Sequence, residues 1–288
     1  MSKVFLVTGS ARGLGRHVAE AVLDAGHSLV ATARRPEQLA DLVDRYGDRI
    51  RPVALDVTDA AAAEAAVRTA VDTFGRLDVV VNNAGYANYA STEDLSADDF
   101  RSQVETNFFG VVNVTRAAIP VLREQGAGHL IQVSSLGGRL ATAGLSAYQA
   151  SKWAVGGFSE VVAQEVAPFG VKVTVLEPGG MRTDWAGSSM AIPPISEPYR
   201  QTVGVMAKLL RSGAGNAAGD PAKVARVLLR ITDLDEPPLR LLLGSDAVRY
   251  ADDVLRARTE SDVRWRPLSV STDHDDATAA ELDPLNAS

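Results

Sequence analysis

Val4-Phe5-Leu6-Val7-Thr8-Gly9-Ser10-Ala11-Arg12-Gly13-Leu14-Gly15 opens the chain with four consecutive apolar residues that run directly into a loop with three glycines. Residues 16–25 follow with apolar side chains at 18, 19, 22 and 23, the rhythm of one helical face, and Gly26 stands where helices commonly end. Strand, glycine turn and helix in this order give the loop a physical purpose. Glycines let the backbone turn sharply and approach a pyrophosphate, and the helix N-terminus supplies unpaired N–H groups and partial positive charge. Three residues separate the first two glycines, so this is not the standard G-x-G-x-x-G fingerprint. A tight turn without a ligand is the alternative at this point.

The alternation of strand and helix continues outward from there. Ser28–Ala33 reads as a second strand and ends in Arg34-Arg35-Pro36, while 49–55 forms a third, followed by the capping residues of Asp56-Val57-Thr58-Asp59 and an alanine-rich helix from Ala60 to Phe74. Leu77–Val81 is an uninterrupted apolar strand of the kind buried on both faces of a parallel sheet, and it runs into Asn82-Asn83-Ala84-Gly85. Ser96 caps a long helix whose Asp94, Asp98 and Asp99 suit its dipole better than catalysis. His129–Val133 and Val171–Leu176 supply two more buried strands. Six or more parallel strands with right-handed helical crossovers make an α/β fold, a doubly wound parallel sheet in three layers. The glycine loop, Asn82 to Gly85, Ser135 and Pro178 to Gly180 all fall at the strands' carboxyl ends, where such sheets bind ligands.

Tyr148-Gln149-Ala150-Ser151-Lys152 carries the chemistry. On a helix, a four-residue separation brings the Tyr148 phenol and the Lys152 ammonium to one face, and a positive neighbour favours phenolate, which moves the tyrosine toward neutral pKa. Ser135 offers a second hydroxyl at the end of the preceding strand. The four histidines (His17, His27, His129, His274) are scattered, no metal site is expected, and the absence of cysteine excludes disulfides and thiolate chemistry. The formal charge of −7 is mostly terminal: residues 268–288 hold five acids and no Lys or Arg, which leaves the rest near −2. No basic stripe points to nucleic acid and no apolar run is long enough for a membrane span, so a cytoplasmic protein without a signal peptide is expected.

Assembled in order, Thr8-Gly9-x3-Gly13-x-Gly15, Asn82-Asn83-Ala84-Gly85, Asn107, Ser135, Tyr148-x3-Lys152 and Pro178-Gly179 resemble the short-chain dehydrogenase/reductase family over roughly residues 3–260. The resemblance implies a Rossmann-type sheet of about seven strands and hydride transfer between nicotinamide and a carbonyl or alcohol carbon. Carried over position by position, Tyr148 is the general acid or base and Ser135 hydrogen-bonds the substrate oxygen. Lys152 lowers the tyrosine pKa and binds the nicotinamide ribose, and Asn107 holds a water linking Lys152 to solvent. Gly9, Gly13, Leu14 and Gly15 line the pyrophosphate, Asp56 and Val57 the adenine, Asn83, Ala84 and Gly85 the ribose side, and Pro178, Gly179 and Thr183 the carboxamide. An acid commonly follows the second strand when NAD is bound. Here Arg34 stands there, with Arg12 below it, so NADP (NADPH) is the expected cofactor. A homodimer or homotetramer follows from the resemblance alone.

Residues 181–220 interrupt the pattern with a Met-, Trp-, Ile- and Pro-rich insertion and a helix from Glu197 to Leu210, which fits a lid over an apolar or aromatic substrate. Met181 and Trp185 are expected on the lid side of the substrate, with Tyr86 and Tyr89 on the opposite wall beside Ser135 and Tyr148. A single catalytic domain over 1–267, closed by a helix from Asp246 to Arg258, and a disordered acidic tail over 268–288 complete the expectation. A non-catalytic NADP(H)-binding sensor of the same fold is the rival. A serine hydrolase lacks the G-x-S-x-G elbow, and an epimerase is disfavoured by the short chain.

Overall fold

The opening apolar run becomes strand β1 (Val4–Val7), buried along its whole length. The computed structural model describes residues 2–183, 190–213 and 216–284. Beyond β1 come α1 (Gly13–Asp24), β2 (Ser28–Ala33), α2 (Ala40–Tyr46), β3 (Ile50–Ala54), α3 (Ala60–Phe74) and β4 (Val79–Asn82). The second half continues with α4 (Ala97–Val104), α5 (Gly110–Gln125), β5 (Gly128–Val133), α6 (Ser146–Val166), β6 (Val171–Pro178), α7 (Val205–Gly213), α8 (Pro221–Thr232) and β7 (Arg240–Leu243). The strands form one parallel sheet in the order β3-β2-β1-β4-β5-β6-β7. The chain is thus a doubly wound, three-layer α/β fold of seven strands.

The period-2 alternation of strand side chains builds two cores. Phe5, Val7, Ile131 and Leu176 face α1 and α8, where Val18, Val22, Val224 and Leu228 meet them. Leu6, Val80, Leu130 and Val173 face the other way, onto Ala66 of α3, Val114 and Leu122 of α5 and Val162 of α6. Burial on both faces explains why these strands read as continuous apolar runs. Helix ends follow local chemistry: Asp59 accepts from the Ala61 and Ala62 N–H groups at 2.9 and 3.0 Å, and Gly75 ends α3 in the left-handed conformation.

Three features differ from the periodicity. The helix beginning after Ser96 is not uniform, because a π-helical turn over Glu105–Phe109 separates α4 from α5 and contains Asn107. The expected helix Glu197–Leu210 begins as a 3-10 turn (Glu197–Tyr199) and a π turn (Arg200–Gly204) before α7. The last long helix, α9, runs from Ser245 to Val270, past Arg258, since glycine is absent from that span and Pro267 is its only breaker. At the edge of the sheet, β3 carries Pro52, bordered by Pro36 and by Ala40 and Val43 of α2.

The chain divides into compact units of residues 1–248 and 249–288. The second unit, by itself, holds most of α9 and a short helix, α10 (Ala279–Leu282), inside the segment expected to be a disordered tail. A capping box between Thr278 and Glu281 starts that helix.

Candidate active site

Ser135 leaves β5 in an extended conformation, and its Oγ accepts the Gly137 N–H at 3.0 Å across the short turn Leu136–Gly138. The turn has no room for larger residues: a Cβ on Gly138 would lie 2.8 Å from Ser134 Oγ and 2.9 Å from the Lys152 carbonyl. This presses the turn onto the first half of α6, where Tyr148 and Lys152 are 7% and 4% exposed. Ser135 and Tyr148 meet at this turn: a Cβ on Gly137 would lie 3.4 Å from both Ser135 Oγ and Tyr148 Cε1. Lys152 Nζ lies 5.8 Å from the Tyr148 ring centroid and donates to the Val133 carbonyl at 2.7 Å.

Burial pushes the Tyr148 phenol up to about 12, while the Ser135 hydrogen bond pulls the other way. Burial likewise pushes the Lys152 ammonium down to about 8. Burial dominates both groups, and the Lys152 Nζ is directed to a strand carbonyl.

Asn107, fully buried in the π turn, accepts the Tyr86 N–H at 3.0 Å and donates to the Tyr86 carbonyl at 2.8 Å and to Ser151 Oγ at 3.3 Å. Its side chain thus clamps the loop after β4 onto α6. Gly85 fits between Asn107 and Lys152, since a Cβ there would lie 3.0 Å from Asn107 Oδ1 and 3.7 Å from Lys152 Nζ. Gln103, also fully buried, assists by donating to the Tyr86 carbonyl at 3.0 Å and accepting from Asn88 N–H at 3.3 Å. Sequence reasoning passed over Gln103. Its position one helical turn before Asn107 was the available signal.

The glycine loop meets the requirements of a dinucleotide. Gly9 and Gly13 have φ of +69° and +56°, and a Cβ on Gly15 would overlap the Gly9 carbonyl. The first turn of α1 has no acidic residue and Arg12 makes no side-chain cap, so the helix N-terminus presents donors that no side chain satisfies. Thr8 Oγ1 accepts from the Asn83 and Ala84 N–H groups at 2.9 and 3.0 Å, and Asn83 Nδ2 donates to the Thr8 carbonyl at 2.9 Å. Asn83 therefore braces the loop from below. Asp56 accepts from Thr58, whose hydrogen bonds hold the carboxyl below its ordinary range with Arg34 adding to the effect. Val57 is buried, with its carbonyl taken by Asn113 Nδ2 at 3.0 Å. Pro178 ends β6, Gly179 N–H donates to the Leu243 carbonyl at 2.9 Å, and Thr183 N–H donates to the Met181 carbonyl at 2.9 Å. All of these groups lie at the carboxyl edge of the sheet.

A sequence model described as short chain dehydrogenase matches residues 3–191. The chain belongs to that family. Among its relatives, an oxidoreductase of Botryotinia fuckeliana named BOA17 is 56% identical over 273 residues, covering 94% of this chain and all of that protein. A short-chain dehydrogenase of Streptomyces avermitilis superimposes with a TM-score of 0.88 at 39% identity, covering 94% of this chain and 98% of that one. A short-chain dehydrogenase of Burkholderia cenocepacia, solved in complex with NADP, gives a TM-score of 0.72 at 26% identity, with 91% and 97% covered.

In this short-chain dehydrogenase the residues expected beside the substrate lie in different surroundings. Tyr89 is fully buried and donates its hydroxyl to the Ala143 carbonyl at 2.5 Å, so it is a foundation of the wall and not its surface. It packs with Ala87, Leu145, Tyr148, Met190, Val203 and Ala207 in a third apolar cluster. Tyr86 is held through its backbone by Asn107 and Gln103, and burial pushes its phenol pKa up. Met181 packs against the core under α1 and α8, away from that cluster. Trp185 lies outside the described residues. The insertion is tied down where it is described: Tyr89 N–H donates to the Ala191 carbonyl at 2.8 Å, Ser196 Oγ to Asp94 at 3.1 Å and Tyr199 Oη to Glu93 at 2.6 Å.

Proposed function

We propose that this protein is an NADP(H)-dependent oxidoreductase that interconverts a carbonyl and a secondary alcohol on an apolar or aromatic substrate. The observation that carries the reading is the convergence of Ser135 and Tyr148 at the Leu136–Gly138 turn, where a Cβ on Gly137 would lie 3.4 Å from both Ser135 Oγ and Tyr148 Cε1, with the buried Lys152 Nζ 5.8 Å from the Tyr148 ring. Two hydroxyl donors directed at one point suit an oxygen on which negative charge develops, and one of them must also give up its proton. NADPH, when bound, supplies the hydride. Tyr148 then protonates the substrate oxygen, Ser135 orients it, and Lys152, able to exchange a proton near neutral pH, resupplies the phenol. Asn107 fixes the loop that borders Lys152.

Arg12 and Arg34 support NADP over NAD. Both are exposed, and neither makes an ion pair among the described residues, so both guanidinium groups are free to meet a 2′-phosphate. The apolar cluster around Tyr148, extended by Ile192, Ile195, Met206 and Leu210, supports a substrate with an apolar body. Phe109 and Trp153, 43% and 41% exposed on the helical stretch of Asn107 and on α6, together with Val161 at 55%, support a homodimer or homotetramer through that face.

NADPH oxidation against a panel of ketones and aldehydes tests the reading, with Tyr148→Phe as control. Turnover that disappears in Tyr148→Phe is expected. Tight NADPH binding with no turnover by the native protein across the panel would favour a sensor instead.

A further inference from the structure

Glu177 is fully buried at the end of β6, immediately before Pro178-Gly179, yet it is a carboxylate. Two arginines from distant parts of the chain satisfy it. Arg139, the residue after the Leu136–Gly138 turn, donates through Nε to Glu177 Oε2 at 2.7 Å and approaches it through Nη2 at 2.6 Å. Arg240 of β7 donates through Nε to Glu177 Oε1 at 3.0 Å and through Nη1 to Glu160 of α6 at 2.7 Å. Gly156 of α6 makes space for this guanidinium, since a Cβ there would stand 2.9 Å from Arg240 Nη2. The chain of charges Arg139–Glu177–Arg240–Glu160 therefore joins the turn of Ser135, the strand end at Pro178-Gly179 and the helix of Tyr148 and Lys152.

Stability alone is a poor reason for such an arrangement. Desolvating a carboxylate largely cancels what its ion pairs return, and apolar side chains of similar volume do as well. Direction is what the pairs add, because a guanidinium forked onto a carboxylate fixes orientation as well as distance. On its other side the same turn is pressed against Ser134 and α6 at Gly138. Glu177 and Arg139 close the remaining side. We propose that Arg139 and Glu177 are positioning residues that hold the Ser135 turn against the end of β6 and so set the Ser135 hydroxyl relative to Tyr148. This rests on the reading of Ser135 as the hydroxyl that meets the substrate oxygen.

Arg139→Gln is the first variant to make, since Glu177 keeps Arg240 and the fold has no orphaned charge. Arg139→Lys is the conservative partner and Glu177→Gln the second probe. Amide hydrogen exchange is followed at Gly137 and Gly138, whose N–H groups bond Ser135 Oγ and the Ser135 carbonyl at 3.0 and 2.8 Å, beside kcat, KM and NADPH affinity. In Arg139→Gln, exchange at these two amides is expected to quicken about tenfold while β5 and the interior of α6 keep their protection. Kcat is expected to fall about 10- to 100-fold with KM and NADPH affinity changed no more than about twofold, as for a displaced orienting group. Arg139→Lys recovers most of both. Unchanged exchange at Gly137 and Gly138 in both Arg139→Gln and Glu177→Gln overturns the proposal, as does a quickening spread evenly over β5 and α6. If the native protein turns over no carbonyl while the turn still loosens selectively, the positioning role is supported and the reductase reading is what fails.

Discussion

Replacing Lys152 by methionine should make the protein more stable at neutral pH and inactive. The ammonium is buried and its pKa is pushed down to about 8 from an ordinary 10.5, which corresponds to about 3 kcal/mol against folding whenever the group is charged in both states. Methionine removes that penalty with a side chain of similar length, but it also removes the 2.7 Å bond to the Val133 carbonyl, a charge-assisted bond contributing about 1.5–2 kcal/mol. The balance is a gain of about 1–2 kcal/mol at pH 7, or roughly 2–4 °C in Tm. Between about pH 8 and 10.5 the unfolded native sequence holds a proton that its folded form has lost, so raising the pH favours folding of the native protein and not of the variant. By pH 10 the native protein should have recovered about 2–3 kcal/mol, and the order of stability should reverse. Tyr148, pushed up to about 12, stays neutral in both folded proteins over this range. Urea unfolding followed by circular dichroism at pH 7 and pH 10 measures both differences. A variant less stable at pH 7, or a difference that does not move with pH, would refute the reasoning.

Gly15→Ala should weaken NADPH binding at least about tenfold, measured by cofactor fluorescence, because the new Cβ overlaps the Gly9 carbonyl and must displace the loop. Arg34→Glu should lower affinity for NADPH by about 10- to 100-fold, read by titration calorimetry, while NADH affinity stays level or rises; equal losses for both would argue against a 2′-phosphate contact. Asp59→Ala should cost about 1 kcal/mol in urea unfolding with no change in cofactor binding, since it removes only the cap of α3. His129, pushed down to about 3 chiefly by burial, stays neutral when folded, so stability should fall as pH drops from about 6.5 toward 3, where the unfolded chain alone takes up the proton. His129→Gln should flatten that part of the profile in acid titrations followed by tryptophan fluorescence.

The sheet and the convergence of Ser135, Tyr148 and Lys152 were legible because they depend on short-range pattern. β2 and α3 fall on the residues their periodicity indicates, and Ser135, Tyr148 and Lys152 converge as strand-end and helical spacing require. What was not legible depends on partners far along the chain. Glu177 meets arginines 38 and 63 residues away, and nothing local distinguishes it from a surface acid beside a proline. Tyr86 and Tyr89 look equivalent in sequence, yet one is held through its backbone by Asn107 and the other is fully buried with its hydroxyl bonded to the Ala143 carbonyl. The π turn at Asn107 is similarly silent, because a single inserted residue leaves the apolar rhythm on either side intact.

Pro52 gives the sheet a boundary on one side. Leu55 N–H donates inward to the Ala33 carbonyl, so by the alternation of a parallel ladder Pro52 occupies an outward position on β3. A strand from another molecule arriving at this margin finds an imino nitrogen where it needs a hydrogen, with the charged Arg51 beside it and the Pro36 to Val43 segment alongside. Misassembly by strand addition, the hazard of open sheets, is thus disfavoured at β3 by chemistry rather than by shortness.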